Sequence, residues 1–234
     1  MSQRHLIPMP CGLYGKLPSK RDFVAIATPR GFLEAWEPWL QGSVTSSRMQ
    51  LAADWQAAFL QAPVWRFWLG ASIFGMSTAG CFVASVDGVG RFFPLTLIGF
   101  VEDGPSIPPP ELDPLDGWFA EAEEILLSAR TREVTFDTVA AAVAAAPEPR
   151  AVSESAPRLN RLAKGVVSGR AEGSIQTFFG EIRIAEYGAV YAGSTFWWTM
   201  GKDGRVAHAI AARGLPDPGL FAGMLSGRFD AAPQ

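Results

Sequence analysis

The sequence has few of the residues that build covalent frameworks and metal centres. Its 234 residues include two cysteines and two histidines, which is too few for a disulfide framework and leaves too few ligands for a structural zinc site. The HExxH, CxxC and GxSxG patterns do not occur. The formal net charge is −3, so binding to nucleic acid through an excess of positive charge is not expected. We therefore expect no metal, no cofactor and no nucleic-acid partner.

A long apolar run that would insert into a membrane is not expected either. The stretch Phe67–Val86 is uncharged over 20 residues, the length of a spanning helix. Three glycines interrupt it, however, and its second half favours strands, so two core strands joined around Gly75–Gly80 are the better interpretation. The first residues contain no apolar run of the length that a signal peptide needs. These features predict a cytoplasmic protein without membrane insertion.

What the chain has in abundance is apolar and aromatic surface. Hydrophobic residues make up 48% of it and charged residues 18%, with eight tryptophans and 16 phenylalanines, which is sufficient for a sizeable core. Three apolar runs have the length of buried strands, with Asp87 and Gly88 as the turn between the last two. These runs are Val64–Ile73, Gly80–Val86 and Phe92–Val101.

Helical periodicity precedes and follows the three apolar runs. Apolar residues recur every three or four positions from Phe32 to Val44, and Pro38 within this stretch predicts a kink or a later helix start. A second amphipathic stretch is expected after Gly42. Two further helices are predicted, over 115–129 and 139–146.

The last third of the chain returns to strand-like runs. They are Gly188–Tyr191, Thr195–Met200 and Val206–Ala211, with a turn at Lys202–Gly204 and a short helix at Pro218–Leu225. Residues 147–158 are rich in proline and charge, which is typical of a flexible loop. The interleaving of strands with helices predicts the α/β class, with helices packed on a central sheet.

Six charged residues stand beside apolar strand or turn segments and are the candidates for a site. They are Lys16, Arg21, Asp22, Arg66, Asp87 and Arg91. Because buried charges persist only when they are paired, the first interpretation is a structural brace in which Asp87 pairs with Arg91 or Arg66. The alternatives are contact with a partner protein, and an enzyme of unrecognised type that uses Asp22, Asp87 and the nearby arginines in a cleft.

Two local patterns have weaker functional interpretations. The segment Gly12–Pro18 looks like a phosphate-binding loop, but its spacing is wrong, Lys16 lacks the following Ser or Thr, and Pro18 stands where a helix should begin. Residues 102–137 contain 10 acidic and 2 basic side chains. A solvated helix face is the first interpretation of this acidic segment, and an acidic partner surface is the second.

A set of longer segments occurs in a fixed order along the chain. They are GLYGKLPSKRDF (Gly12–Phe23), WxxWL (Trp36–Leu40), APVWRF (Ala62–Phe67), SVDGVGRFFPLTL (Ser85–Leu97), STFWWT (Ser194–Thr199) and GLPDPGLFAGMLSG (Gly214–Gly227). Together they resemble the TagF family of proteins associated with the bacterial type VI secretion system. The chain departs from the family pattern at Arg21, where glycine is usual, at Glu37 and Pro38, and at Gly88, where arginine is usual.

The resemblance implies a fold, a domain organisation and a function. The fold is an α/β three-layer sandwich with a central mixed or antiparallel sheet and helices packed on it, and residues 8–229 form a single TagF-like domain with a flexible loop around 147–158. The function is that of a cytoplasmic accessory protein, a post-translational repressor that binds the forkhead-associated scaffold protein Fha. The family supplies no catalytic, cofactor-binding or metal-binding residues, so the resemblance implies that the protein is not an enzyme. A third interpretation, a purely structural subunit of the secretion machine, predicts stable co-purification with the assembled apparatus.

Overall fold

The central element of the fold is a seven-stranded sheet. A computed structural model of the chain describes residues 10–101, 106–150, 159–169, 173–201 and 206–229. Within these residues the strands of the sheet are β1 (Cys11–Lys16), β2 (Phe23–Ile26), β3 (Trp65–Leu69), β4 (Thr78–Val83), β5 (Leu95–Phe100), β8 (Ser194–Thr199) and β9 (His208–Arg213). A separate hairpin consists of β6 (Asn160–Leu162) and β7 (Gly165–Val167).

The seven strands lie in the order β2-β1-β5-β4-β3-β8-β9, and every neighbouring pair is antiparallel. The three apolar runs predicted as neighbouring strands are confirmed as β3, β4 and β5, at the centre of this order. Every residue of β1, β3, β4 and β5 is buried, because helices cover both faces of the sheet. Because every neighbouring pair of strands is antiparallel, the antiparallel sheet is confirmed and the mixed sheet is not.

The sequence patterns do not predict β1 and β2. Two glycines in β1 lower its apparent strand propensity, but the structure gives each of them a packing role. At Gly15, where φ is 138°, an added Cβ would lie 2.2 Å from the Pro94 carbonyl oxygen, and at Gly12 it would lie 2.8 Å from the Ala27 carbonyl oxygen. The glycines therefore permit close approach of neighbouring backbone, and the segment that looks like a phosphate loop begins as a buried strand.

Three helices cover one face of the sheet with a largely aromatic core. They are α1 (Arg30–Leu51), α2 (Trp55–Gln61) and α6 (Phe221–Ser226), with 3₁₀ turns over 52–54 and 218–220. The core on this side includes Trp36, Trp39, Phe67, Trp197 and Phe221. The short helix predicted near the end of the chain is confirmed by the 218–220 turn and α6.

Helix α1 is longer than the sequence predicts. It runs without interruption through Pro38 and Gly42, so the prediction of a later start is wrong. The second amphipathic stretch expected after Gly42 is confirmed as a separate helix only from Trp55, where α2 begins, to its end before Pro63. The break lies instead at Ala52, where φ is 43°. Buried residues of α1 recur every three or four positions on both sides of the proline, and their burial outweighs the hydrogen bond that Pro38 removes.

Two helices, α3 (Asp116–Ala129) and α4 (Phe136–Ala145), cover the opposite face. Helix α3 contacts β4 and β5, and α4 contacts β1. The core on this side is mainly aliphatic and includes Leu13, Leu97, Leu126 and Val143. A sheet between two helical layers confirms the predicted α/β three-layer sandwich.

Helix α5 (Ile175–Val190) differs from the others because it has no buried residue. The strand predicted over Gly188–Tyr191 is wrong, since these residues lie at the end of α5; a short apolar run does not by itself distinguish a strand from a helix end. The turn predicted at Lys202–Gly204 and most of the loop predicted over 147–158 lie outside the described residues. None of the helices in the described ranges combines the length and apolar character needed to cross a membrane.

Candidate functional site

The connection between β4 and β5 forms a tight turn around the carboxylate of Asp87. A bridge between Val86 and Phe92 closes the turn, and the Asp87 amide donates to the Arg91 carbonyl oxygen at 3.0 Å. The Asp87 Oδ1 atom accepts hydrogen bonds from the backbone amides of Val89, at 3.0 Å, and Arg91, at 2.8 Å. Aspartate suits this position because its short carboxylate binds backbone donors two to four residues ahead.

The second oxygen of Asp87 binds two cations. Lys16 Nζ lies 2.6 Å from Asp87 Oδ2, and Arg91 Nε lies 2.7 Å from the same atom. Asp87 is 1% exposed and Lys16 is 5% exposed. Burial alone would raise the pKa of Asp87, but the hydrogen bonds from Lys16, Arg91 and the Val89 amide outweigh it and hold the pKa well below its usual range. Asp87 is therefore ionised, and both of its carboxylate oxygens accept hydrogen bonds.

The Asp87 turn is joined to the loop between β1 and β2. The Gly88 amide donates to the Lys20 carbonyl oxygen at 2.8 Å, and the Ser85 hydroxyl donates to the Lys16 carbonyl oxygen at 2.7 Å. The guanidinium of Arg91 also donates to the Arg21 carbonyl oxygen. Five hydrogen bonds or ion pairs thus hold the two loops together: these three, the Lys16–Asp87 pair, and the 4.0 Å contact between Arg91 and Asp22.

The outer side of the two joined loops is an exposed surface, which we call the double-loop surface and define as residues 19–23 and 88–91. Its exposed side chains include Lys20, Arg21, Asp22 and Arg91, so basic groups outnumber the acidic one. Two apolar side chains lie among them, Phe23 at 45% exposure and Val89 at 55%. A mixture of arginine, aromatic and aliphatic groups on an ordered base is typical of a protein-binding surface.

Phe23 is fixed within this surface by other aromatic rings. It stacks on Tyr14 with ring centroids 5.8 Å apart and meets Phe93 edge-on at 4.9 Å. Lys16 Nζ lies 5.0 Å from the centroid of the same ring. Because Tyr14 and Phe93 belong to the core, the exposed part of Phe23 is held in place rather than free to reorient.

Arg66, the remaining candidate, lies in a different cluster. Its Nε is 2.5 Å from Glu123 Oε1 and its Nη1 is 3.1 Å from Asp116 Oδ1, both on α3. Its guanidinium also lies 5.1 Å from the Phe119 ring centroid. Of the two partners predicted for Asp87, the structure therefore contains the Arg91 pair and places Arg66 with other acids.

Lys16 is the partner of Asp87 that sequence reasoning missed. It was singled out as a candidate, but its pairing depends on β1, which the glycine-rich sequence does not predict. The sequence does contain one indication of this pairing. Lys16 follows a run of apolar residues, so if that run forms a strand, the aliphatic part of the Lys16 side chain is buried beside the sheet. The structure brings Lys16, Asp87 and Arg91 together, and it leaves Arg21 and Asp22 exposed beside them.

Within the described residues, no three or more His, Cys, Asp or Glu side chains are placed to hold a metal ion. Both cysteines, Cys11 and Cys81, are free and buried, and burial raises the pKa of the Cys11 thiol to about 12. The described residues at this end of the sheet thus form an ion-paired brace below an exposed surface of charged and apolar side chains.

Comparison with known proteins now gives this fold a family. Residues 12–146 match the family model described as the TagF N-terminal domain, type VI secretion system-associated. The match covers more than half of the chain, so the protein belongs to the TagF family of type VI secretion system-associated proteins. Both loops of the double-loop surface lie within the matched residues.

A solved structure resembles the chain over nearly its whole length. It is the crystal structure of PA0076 from Pseudomonas aeruginosa PAO1, which has a TM-score of 0.76 and 30% sequence identity and covers 96% of this chain and 97% of that chain. A search of curated proteins gave no match.

The residues that follow the family match contribute to the same sheet and core. Strand β8 pairs with β3, Trp39 Nε1 donates to the Pro216 carbonyl oxygen at 2.7 Å, and Trp65 Nε1 donates to the Met224 carbonyl oxygen at 2.8 Å. The matched region alone would therefore lack partners for two buried tryptophans, which agrees with structural similarity that extends over 96% of the chain.

Proposed function

We propose that this protein represses type VI secretion post-translationally by binding the forkhead-associated scaffold protein Fha in the cytoplasm, and that it catalyses no reaction of its own. Membership of a type VI secretion-associated family supplies the system in which it acts. The observation that carries the proposal is the double-loop surface, which presents charged and apolar side chains on a base fixed by the buried Asp87 brace. A surface held in this way binds without first losing conformational freedom.

The charges of the surface indicate the chemistry of the contact. Lys20, Arg21 and Arg91 outnumber Asp22, so the facing surface of the scaffold is expected to be acidic. Phe23 and Val89 supply the apolar centre of such a contact, and the arginines supply directional hydrogen bonds. Substitutions of surface side chains outside the Asp87 brace, such as Arg21 and Val89, are expected to change affinity for Fha rather than stability of the fold.

Repression by binding is a population shift. The protein must bind the non-assembling state of its partner more tightly than the assembling state, because equal affinity for both would change nothing. A shift from 1:99 to 99:1 requires a preference of about 10⁴-fold. The proposal therefore predicts a state-dependent affinity, not merely binding.

The enzyme alternative has weaker support in the geometry. Asp87, one of its two acids, is buried with both oxygens hydrogen-bonded. The side chain of Asp22, the other acid, is 98% exposed. An acid pair of this kind does not converge on one cleft, whereas an active site requires groups that do.

The test is titration calorimetry of purified Fha with the full chain and with two surface variants. We expect Arg21→Glu and Val89→Asp each to weaken binding at least about tenfold, with unchanged circular dichroism and urea midpoint. Arg30→Glu is the matched control, because that side chain is 92% exposed and lies beyond the opposite end of β2. In cells, overproduction of the wild type and of the control should suppress secretion, and the surface variants should not.

Four results would contradict parts of the proposal. If the wild type does not bind Fha, Fha is not the partner. If the protein suppresses secretion without contacting Fha, it represses through a different partner. Full binding by both surface variants would exclude the double-loop surface as the contact. Turnover of a phosphorylated, nucleotide or peptide substrate that is lost in Asp22→Asn would establish the enzyme alternative.

A further inference from the structure

A pocket of about 270 Å³ lies beside the Asp87 turn, and its composition is unusual for a gap between packed elements. Four apolar residues and Ser85 line it, together with two arginines from the connection between α3 and α4. The apolar residues are Pro18, Leu60, Ala84 and Val86, and the arginines are Arg130 and Arg132. The two guanidinium groups therefore place positive charge at one small pocket. Among the residues that the structure describes, no acidic side chain lines the pocket to balance that charge.

Arg130 lacks the partners that Arg66 and Arg91 have. Arg66 binds Glu123 and Asp116, and Arg91 binds Asp87. In the part of the chain that the structure describes, the side chain of the partly buried Arg130 has neither a hydrogen bond nor an ion pair. Burial lowers the pKa of Arg130, which is the expected cost of a partly desolvated cation without an acid beside it.

We propose that this pocket is a binding site for an oxyanion, the carboxylate or phosphate group of a small ligand, held by Arg130 with Arg132. The planar guanidinium presents paired N–H donors that match two oxygens of a carboxylate or phosphate. The apolar walls exclude water from part of the contact, which strengthens the attraction. The volume lies just below the range of pockets for drug-sized ligands, so the ligand is small.

The inference does not depend on the proposed function, because neither arginine belongs to the double-loop surface. It concerns a ligand of the protein itself and not the contact with a scaffold. The two can therefore fail separately: loss of Fha binding in the double-loop variants says nothing about the pocket, and loss of anion binding in pocket variants says nothing about Fha.

The test is an NMR titration of the full chain with inorganic phosphate and, separately, with sodium acetate, each against sodium chloride at matched ionic strength. We expect saturable shifts at residues that line the pocket, with affinity at least tenfold weaker in Arg130→Met and weaker in Arg132→Gln. Arg30→Gln, at a side chain that is 92% exposed, should bind like the wild type. Saturation by phosphate alone, by acetate alone or by both would support the site and identify which oxyanion it accepts.

A second measurement separates a binding arginine from a structural one. Without added anion, the urea midpoint of Arg130→Met should equal or exceed that of the wild type, because the substitution removes an unpaired, partly buried charge. A clearly lower midpoint would show that Arg130 stabilises the fold and would overturn the inference. Shifts that do not saturate, or that are the same in Arg130→Met as in the wild type, would overturn it as well.

Discussion

Asp87 and Arg66 are buried charges of opposite sign, and the surroundings of the two differ. Asp87 is an acid whose side chain is completely inaccessible, and its partners are two side-chain cations and two backbone amides from adjoining loops. Arg66 is a base whose side chain is 10% exposed, and its acids Glu123 and Asp116 are 24% and 70% exposed. Within the Asp87 cluster, Asp87 and Lys16 are closed to water and only Arg91, whose side chain is 55% exposed, reaches it, whereas the Arg66 cluster opens to water through its acids.

This difference determines what happens when one partner is removed. When Asp87 is removed, water can solvate the half-exposed Arg91, but Lys16 would remain as an uncompensated cation in the core. At Arg66, removal of the base leaves carboxylates that water can solvate. The two clusters also connect different layers: Asp87 joins two loops at one end of the sheet, and Arg66 joins the sheet to α3. The Asp87 cluster is therefore the more sensitive of the two, and substitutions can test that ranking.

The largest effect is expected for Asp87→Ala. It leaves Lys16 buried without an acid and removes the acceptor of the Val89 and Arg91 amides, so the free energy of unfolding should fall by about 3–5 kcal/mol. Urea unfolding followed by tryptophan fluorescence measures this. Asp22→Ala, in the same pair of loops but with a side chain that is 98% exposed, is the control and should change stability little.

If Asp87→Ala does not fold, Asp87→Asn is the second variant, because it keeps one carbonyl oxygen for the turn amides. A folded and stable Asp87→Ala protein that has lost only Fha binding would contradict the comparison. Asp87 would then act in binding Fha and not in stabilising the two loops.

The pairing of Asp87 shows how far the sequence predicts this structure. Asp87 and Arg91 lie four residues apart in one turn, and the sequence predicted Arg91 as one of two alternative partners, the other being Arg66. Lys16 lies 71 residues away in sequence, and its position depends on β1, whose glycines disguise a buried strand. The three central strands were predictable because their apolar runs are long and are bounded by turns. The end of α5 was not predictable, because a run as short as Gly188–Tyr191 is too short to show either a helical or a strand-like periodicity.

Helix α1 shows a related limit. Local rules for proline and glycine predicted a disturbance at Pro38 and Gly42, but the buried stripe that starts at Phe32 continues past both to Val44 and Ser47. Tertiary burial overrode propensity there. The double-loop surface was predictable only as a set of candidate residues, since its shape depends on contacts between two loops.

Removal of an acid from the Arg66 cluster is expected to have the second-largest effect. Glu123→Ala leaves the guanidinium of Arg66, which is 10% exposed, with Asp116 as its remaining acid. The free energy of unfolding should fall by about 1.5–3 kcal/mol, the range for a hydrogen bond to a charged group. Glu124→Ala, at the neighbouring exposed position of α3, is the matched control. A loss equal to that of Asp87→Ala would show that the clusters are equivalent.

Acid should weaken the Asp87 cluster in a way that can be measured by comparison. The native pKa of Asp87 is lowered, whereas the unfolded value is about 3.9. Below that value the unfolded state binds a proton that the native state does not, so this stabilisation is complete above about pH 4–5 and is lost as pH falls towards the native pKa. The slope is at most about 1.4 kcal/mol per pH unit for one proton.

Urea unfolding of the wild type and of Asp87→Asn between pH 5 and about pH 2.5 tests the slope. The wild type should lose stability more steeply than Asp87→Asn, because both share every other titrating group and the variant lacks this one. Parallel pH dependences would show that Asp87 is not protected from protonation in the native state.

The smallest effect is expected for Arg66→Met. Methionine keeps most of the length and the apolar contact with Phe119, and the substitution leaves Glu123 and Asp116 with access to water. Replacing a buried ionic group by an apolar side chain of similar size is often neutral, so the free energy of unfolding should change by less than about 1 kcal/mol in either direction. Urea unfolding beside Asp87→Ala measures the difference between the clusters directly. A fall in the free energy of unfolding of about 3 kcal/mol or more would mean that water does not solvate the unpaired acids on α3 any better than it would solvate an unpaired Lys16. Solvent access would then not distinguish the two clusters.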